Sequence, residues 1–335
     1  MTNKPYYEDF PITFTGNQPV IHLPQRLTIL EAVPFSKAYQ DLLHQNGHFS
    51  QVYLDFEQTQ FLDSSGVGAL VRNYKVTQEQ GATVILKNVR PPVMAVLSMT
   101  GLDQVFIIEA WTEAEPETNR ATISRSDPQP PATHPSTHSW VKRAIDIIGS
   151  LMGLAITGVL FIPIALAIKL DSPGPIFFGQ TRCGWMGKQF RIWKFRSMCT
   201  NAEAMKNQIQ NEASGAIFKN QNDPRITKVG RFLRRTSLDE LPQFWNVLKG
   251  EMSLVGTRPP TPDEVERYQV PEWQRLDVKP GITGEWQVYG RSQVKNFEDV
   301  IQLDLRYQNN WSLKYDLQLI LKTITVLFDK NNGAY

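Results

Sequence analysis

Residues 231–260, RFLRRTSLDELPQFWNVLKGEMSLVGTRPP, hold an unusual density of chemistry, and the rest of the chain is read outward from them. Arg231, Arg234 and Arg235 precede the adjacent carboxylates Asp239 and Glu240; an apolar helical stripe follows, and a glycine-arginine-proline loop, Gly256–Pro260, closes the stretch. Cations ahead of a carboxylate pair suggest a bound phosphate and a metal ion. Ser237-x-x-Glu240 is also the spacing of a helix capping box, and acids in a first turn favour the helix dipole. With Ser237 as cap, Pro242 falls at the fifth helical position, where its missing N–H and its ring both disturb the ladder. A start near Asp239 puts Pro242 in the tolerant first turn and both carboxylates at the positive helix end, where ionisation is favoured and a nucleophile or metal ligand is useful. Leu241, Phe244, Trp245 and Leu248 recur at helical spacing and are expected in the core.

Ser237–Gln243 (SLDELPQ) with Gly256–Pro259 (GTRP) resembles the bacterial sugar transferase family, the monotopic phosphoglycosyl transferases that move a sugar phosphate from a nucleotide sugar onto a polyprenyl phosphate. The resemblance runs from about Trp140 to the C-terminus, through Lys194-Phe195-Arg196-Ser197-Met198, Asn222–Thr227, and Lys279–Gly284 with Gln287 and Gly290-Arg291. It implies that Asp239 attacks the phosphorus that carries the sugar of a UDP-sugar and releases UMP, after which undecaprenyl phosphate attacks the mixed anhydride. It further implies a Mg²⁺ ion bound partly by Glu240 and a nucleotide contact from Arg258; Arg234 and Arg235 are the choice for phosphate contacts, because guanidinium forks suit phosphate better than a point charge. Gln287 and Arg291 fall in what looks like the sugar-side element of larger members, for which glucose and galactose phosphates are the expected groups. Arginines ending a helix also offset its dipole, and turn chemistry alone accounts for the glycines of 279–290. Thr257 stands where the commoner family form has proline.

Upstream, 176–183 and 189–197 read as a hairpin turning at Gly184–Lys188. Gly179, Gly184 and Lys188 do not make a phosphate loop, because Trp185 sits where the Walker lysine belongs. Lys194 and Arg196 share a strand face by the two-residue period, and by resemblance hold the phosphate of the lipid carrier.

Ile147–Ile168 is a run of 22 residues without a charge, about 33 Å as a straight helix. Lys142, Arg143 and Lys169 flank it, which favours a bilayer segment over a core helix. A single crossing would separate two domains that both look cytosolic. Pro163 allows a bend back to the same face, and the resemblance implies such a re-entrant helix over about 142–170, on the cytoplasmic face of the bacterial inner membrane. Members often have serine before that proline; here it is Ile162. The C-terminal Tyr315–Phe328 has a broad apolar face that suits a core-packed helix or one lying in the membrane interface.

Residues 1–111 are expected to be an α/β domain: a strand at 52–56, a helix at 66–80, a strand at 83–86 and a helix at 91–99. Phe61–Gly68, FLDSSGVG, resembles the STAS domain of anti-sigma factor antagonists, in which the serine after the aspartate is a kinase target; this maps onto Ser64. Asp63, Ser64 and Ser65 serve equally as helix caps. Such a domain implies a protein partner or self-association. Residues 112–139, rich in Glu, Thr, Ser and Pro, read as a flexible linker, with His134 and His138 as linker residues and not metal ligands. The fold class is thus a STAS-like α/β domain, then an α/β transferase domain over 140–335.

A net charge of +2 gives no case for nucleic acid, and two cysteines support neither a disulfide framework nor a thiolate metal site. No apolar run follows the N-terminal lysine, so a cleaved signal peptide is not expected. An alternative from another class makes the chain a STAS-based regulator anchored by its transferase-like part; Asp239, Glu240 and Arg258 argue against it, since an anchor has no use for them.

Overall fold

A computed structural model describes residues 10–45, 49–109, 133–205, 209, 211–212, 220, 222–290 and 297–328. It divides into two compact units: residues 1–133 with the later segments 186–188 and 268–277, and the remainder. Compactness therefore cuts the chain differently from its linear order, since two segments inside the expected transferase region belong to the first unit. Most of the expected 112–139 linker, residues 112–132, lies outside the described residues. Its end does not behave as linker: Pro135–His138 forms a helical turn (α4, counted with the helices below), and His134 donates or accepts at both ring nitrogens, to Ser136 Oγ at 2.8 Å and the Gln308 carbonyl at 3.0 Å.

In the first unit the strands β1 (Ile12–Thr15), β2 (Gln18–His22), β4 (Gln51–Asp55), β6 (Thr83–Lys87) and β7 (Ile107–Ile108) lie in the order β1-β2-β4-β6-β7. β1 and β2 are antiparallel and the other pairings parallel, while the short β3 (Arg26–Leu27) and β5 (Phe61–Leu62) pair separately. Three helices accompany the sheet, α1 (Ile29–Gln45), α2 (Ser64–Glu79) and α3 (Pro91–Thr100). Val52, Leu54, Leu86, Ala69 and Leu70 are buried at the centre. The α/β alternation read from periodicity is present, with boundaries shifted by one or two residues, as expected for frayed ends.

Asp63 is the N-cap of α2, accepting the Gly66 N–H at 2.9 Å. Ser64 is fully buried; its N–H donates to Asp277 Oδ1 at 3.0 Å and its hydroxyl to Met186 Sδ at 3.4 Å. Burial, and after it the charge of Asp63, pushes the Asp277 carboxyl up to about 7. A carboxyl that binds its proton more tightly folded than unfolded, where the value is about 3.9, contributes stability that is full below that value and lost as pH rises through about 7. The first unit should therefore melt lower at about pH 8 than at about pH 5, and Asp277→Asn should shrink that difference. Thermal unfolding at both pH values checks this; an identical pH dependence in wild type and variant contradicts it.

The second unit is organised on α5 (Trp140–Asp171), 32 residues long, about 48 Å. Ser139 caps its start by accepting the Lys142 N–H at 3.2 Å. Helical conformation holds on both sides of Pro163, which lies inside α5, so the expected break is not an interruption of the helix. Both ends are held by the same unit. Near the start, Lys142 reaches Asp316 at 2.6 Å, Arg143 caps the carbonyls of Val247 and Leu248 at 2.7 Å each, and Asp146 accepts from Ser253 Oγ and the Leu254 N–H. Near the end, Ile164 and Ile168 pack with Phe195 and Leu233. Between the ends Gly153 lies flat against Phe244. The remaining face is apolar and exposed: Ile148, Met152, Ile156, Val159 at 78%, Ile162, Leu166 and Leu170 at 86%.

β8 (Phe177–Cys183) and β9 (Gln189–Phe195) form the expected antiparallel hairpin, in register from Phe177 opposite Phe195 to Cys183 opposite Gln189. A short helix α6 (Ala202–Met205) leads to α7 (Lys228–Arg235) and α8 (Gln243–Lys249). β10 (Ser253–Val255) and β11 (Gly281–Thr283) pair in parallel, with α9 (Pro262–Val265) between them in sequence. Here Gly256 and Gly281 are required by proximity: a Cβ on Gly256 would stand 2.2 Å from the Lys279 carbonyl oxygen, and one on Gly281 2.1 Å from the Gly256 nitrogen. The helices α10 (Phe297–Asn309) and α11 (Leu313–Phe328) complete the unit. α11 buries Leu319 against Val255, Val278 and Tyr307 while leaving Leu317, Leu321 and Ile324 exposed, so it is both core-packed and apolar outside.

Candidate active site

Ser237 takes a left-handed conformation (φ 55°) and makes no side-chain cap. Leu238–Glu240 is a single 3₁₀ turn, and α8 begins only after Pro242. The capping-box reading is thereby corrected: the dyad is presented on a tight turn between two helices, and Pro242 stands ahead of α8 where its missing N–H costs nothing. Val247 and Asn246 are the fully buried residues of α8, whereas Trp245, expected in the core, is 50% exposed.

Asp239 is 5% exposed. Burial raises its pKa most; Lys194 and Arg234 oppose the rise and Glu240 adds to it. Its neighbour Glu240 accepts from Lys194 Nζ at 2.7 Å and, more weakly, from Gln287 Nε2 at 3.3 Å. Lys194 thus neutralises one member of the dyad, leaving the other a desolvated carboxylate of raised basicity, the character an oxygen nucleophile needs.

Arg234, in the last turn of α7, donates from Nε to Ser197 Oγ at 2.9 Å. Ser197 is positioned by the pairing of 197–199 with 225–227, in which Thr227 N–H donates to the Ser197 carbonyl at 3.1 Å and Cys199 N–H to that of Arg225 at 2.9 Å. In the same segment Asp223 and Arg225 form a buried bidentate pair, with Arg225 Nη2 2.7 Å from Asp223 Oδ2. α7 approaches this strand closely because residue 230 is glycine: a Cβ there would stand 1.9 Å from the Ser197 carbonyl oxygen. Gly230→Ala is expected to cost about 1–3 kcal/mol and to shift Arg234 out of the site; a melting midpoint and turnover equal to wild type would contradict that placement.

Four expected contacts fare differently. Arg196 lies just beyond the end of β9 and does not share the Lys194 site. Its Nη1 donates to the Pro173 carbonyl and its Nη2 to that of Ser172, both at 2.6 Å, capping the exit of α5. Arg235 is exposed at the end of α7, and Arg291 lies outside the described residues. Arg258 is held by Glu264 through two hydrogen bonds of 2.7 and 3.0 Å. Sequence reading quoted Ser197 and the 222–227 motif without giving them a role, and passed over Glu264 and Arg182; an arginine six residues before a cap glutamate carries no signal by itself.

No cluster of three or more His, Cys, Asp or Glu side chains suited to a metal occurs among the described residues. The adjacent Asp239 and Glu240 nevertheless fit Mg²⁺, which takes one or two carboxylates and completes its shell with phosphate oxygens and water.

A buried carboxylate beside a lysine-held partner, with the guanidinium group of Arg234 among the charges acting on it, has the chemistry to meet a phosphate. A family model described as bacterial sugar transferase matches residues 137–330, and one described as Mlab, STAS domain matches residues 11–109. Among curated proteins, the chain is 49% identical over 193 residues to a galactosyl transferase, CpsE, of Streptococcus agalactiae, covering 57% of this chain and 43% of that one. It is 45% identical over 202 residues to an undecaprenyl-phosphate galactose phosphotransferase of Salmonella typhimurium, covering 58% and 42%. It is 39% identical over 200 residues to the exopolysaccharide production protein ExoY of Rhizobium meliloti, covering 58% and 88%. The chain belongs to the bacterial sugar transferase family and carries a STAS domain ahead of its transferase part. It spans less than half the length of the first two relatives.

Proposed function

We propose that the protein transfers a hexose 1-phosphate from a UDP-sugar to undecaprenyl phosphate, an opening membrane step of exopolysaccharide or related glycan assembly. The observation that carries this is the environment of Asp239: buried, of raised pKa, and next to a glutamate already paired with lysine. A carboxylate oxygen of Asp239 attacks the sugar-bearing phosphorus, the bond from that phosphorus to the UMP oxygen breaks, and UMP leaves with the electron pair. The enzyme then carries a phosphosugar mixed anhydride. A phosphate oxygen of undecaprenyl phosphate attacks the same phosphorus, releases the Asp239 carboxylate and forms the lipid diphosphate sugar. Splitting the transfer lets each step be compensated separately for the approach of two anions. Mg²⁺, bound partly by Glu240, would neutralise phosphate oxygens. Arg234, fixed by Ser197, is placed to meet the sugar phosphate, and Lys194 keeps Glu240 from adding its full charge to the repulsion.

The lipid acceptor demands a site at a bilayer. The outward apolar face of α5 supplies the contact; both ends of α5 are held by one unit, which supports a helix embedded from one side, and the cations Lys142, Arg143 and Lys169 at its ends support the cytoplasmic face of the inner membrane as that side. The relatives' names include galactose, and among the described residues no side chain in this site separates galactose from glucose.

The test mixes full-length protein in nanodiscs with Mg²⁺, undecaprenyl phosphate and a panel of UDP-sugars, and follows UMP. One or two sugars should support release, and EDTA should stop it until Mg²⁺ is returned. Absence of release with every sugar would refute the proposal.

A further inference from the structure

The first unit is completed by two segments remote in sequence: 186–188, in the turn between β8 and β9, and 268–277. Val270–Asp277 forms 3₁₀ turns that lie against α1 and α2, and it brings an apolar face of its own, with Val270, Trp273 and Leu276 buried. The indole of Trp273 is seated where α2 has no side chain, since a Cβ on Gly68 would stand 2.4 Å from its Cγ. Gly187 faces the same ring, its Cβ position 3.1 Å from Cζ3. One tryptophan thus gathers α2 and the turn together. Arg275, fully buried, donates from Nη1 to the Tyr268 hydroxyl at 2.6 Å and closes 268–277 on itself. Met186 takes a left-handed conformation, φ 58°, which is unfavourable for a residue with a Cβ. Such a backbone persists where its surroundings over-determine it, and here the side chain is fully buried with its Sδ accepting from Ser64 Oγ. At the rim Arg72 hydrogen-bonds to Gln269. A buried aromatic anchor with polar contacts around it is the anatomy of a recognition surface.

We propose that the face of the STAS-like domain formed by α1 and the first half of α2 is a binding surface whose partner is this chain itself, residues 186–188 and 268–277 being held there in cis. The family resemblance implied a separate protein partner or self-association. A ligand tethered in cis has an effective concentration on the order of millimolar, so a free protein at micromolar concentration needs roughly a thousandfold tighter contacts to displace it. The same contacts cover Ser64. Its hydroxyl is fully buried against Met186 and its N–H is held by Asp277, so a phosphoryl group there would collide with the first and set about −1.5 to −2 of charge beside the second. A kinase acting on Ser64 therefore needs both segments released first.

Ser64→Cys places a thiol at this position in full-length protein in nanodiscs, and maleimide labelling is followed by peptide mass spectrometry, which separates it from Cys183 and Cys199. Labelling should be slow in the otherwise unaltered chain. Adding Trp273→Ala should speed it at least about tenfold, and hydrogen exchange should rise in 186–188 and 268–277 together while β4 and β6 keep their protection. Adding Gly68→Ala should act alike, since its Cβ meets the indole and no side chain is removed. Unaltered labelling in either variant overturns the proposal, and so does rapid labelling without them. Protection lost from β4 and β6 along with the two segments also overturns it, because Trp273 would then be an ordinary core residue. None of these readouts uses transfer activity, so each outcome leaves the reading of Asp239 where it stands.

Discussion

Replacing Asp239 by asparagine is expected to reduce UMP release by at least about 10⁴-fold while leaving the fold intact. Asparagine matches the aspartate in shape but has no charge and is not a nucleophile, so the covalent step is lost. The carboxyl is buried beside Glu240, and its ionised form is disfavoured there. Neutralising it removes that cost, and the variant should melt at or above the wild-type temperature, as a site held for chemistry at the expense of stability should. The wild-type pH profile should show its acid limb above the ordinary carboxylate range, because Asp239 must lose its proton to attack and burial raises its pKa. Rates on donor alone and melting curves on the same samples check both halves. A variant that turns over within tenfold of wild type, or that unfolds, contradicts the assignment.

The second large effect lies away from the chemistry. Lys142 and Asp316 form a buried ion pair at 2.6 Å, with side-chain exposures of 7% and 5%. Tyr307 donates to Asp316 Oδ1 at 2.9 Å and Trp311 Nε1 to Oδ2 at 3.2 Å, while Lys142 also donates to the Val255 carbonyl at 3.0 Å. The network ties the first turn of α5 to α11 and to the strand leading into the 256–260 loop. Asp316→Ala would leave an ammonium group buried without its counter-ion, at a cost of about 3–5 kcal/mol. The variant should fail to accumulate as a monodisperse protein or should unfold at much lower denaturant. The pair Lys142→Met with Asp316→Leu should recover much of the loss, because an apolar replacement of both partners leaves no stranded charge. A single variant within about 1 kcal/mol of wild type would show that the pair is not the anchor described here.

These contrasts show which parts of the molecule could be read from the chain alone. Local patterns survived: the β8–β9 hairpin follows from alternation around a glycine turn, and α2 from its periodicity after Asp63. The dyad was visible because two adjacent acids before a proline are poorly explained by capping. What failed depended on distance in sequence. The two-residue period put Lys194 and Arg196 on one face, but β9 ends at Phe195, and the next guanidinium turns to the carbonyls at the exit of α5. Periodicity put Trp245 in the core, whereas the buried face of α8 is centred on Asn246 and Val247. Glu264 resembles any capping glutamate until its bond to Arg258 is seen. The assignment of 186–188 and 268–277 to the first unit has no local sequence signal, since it rests on contacts such as that of Ser64 with Asp277.

Intact-mass spectrometry of the protein mixed with Mg²⁺ and its UDP-sugar, without lipid acceptor, addresses the account most directly. One hexose phosphate should add to the wild-type chain, map to the peptide containing Asp239, disappear when undecaprenyl phosphate is supplied, and be absent from Asp239→Asn. An unmodified wild-type chain that still completes transfer when the acceptor is added would contradict the covalent mechanism.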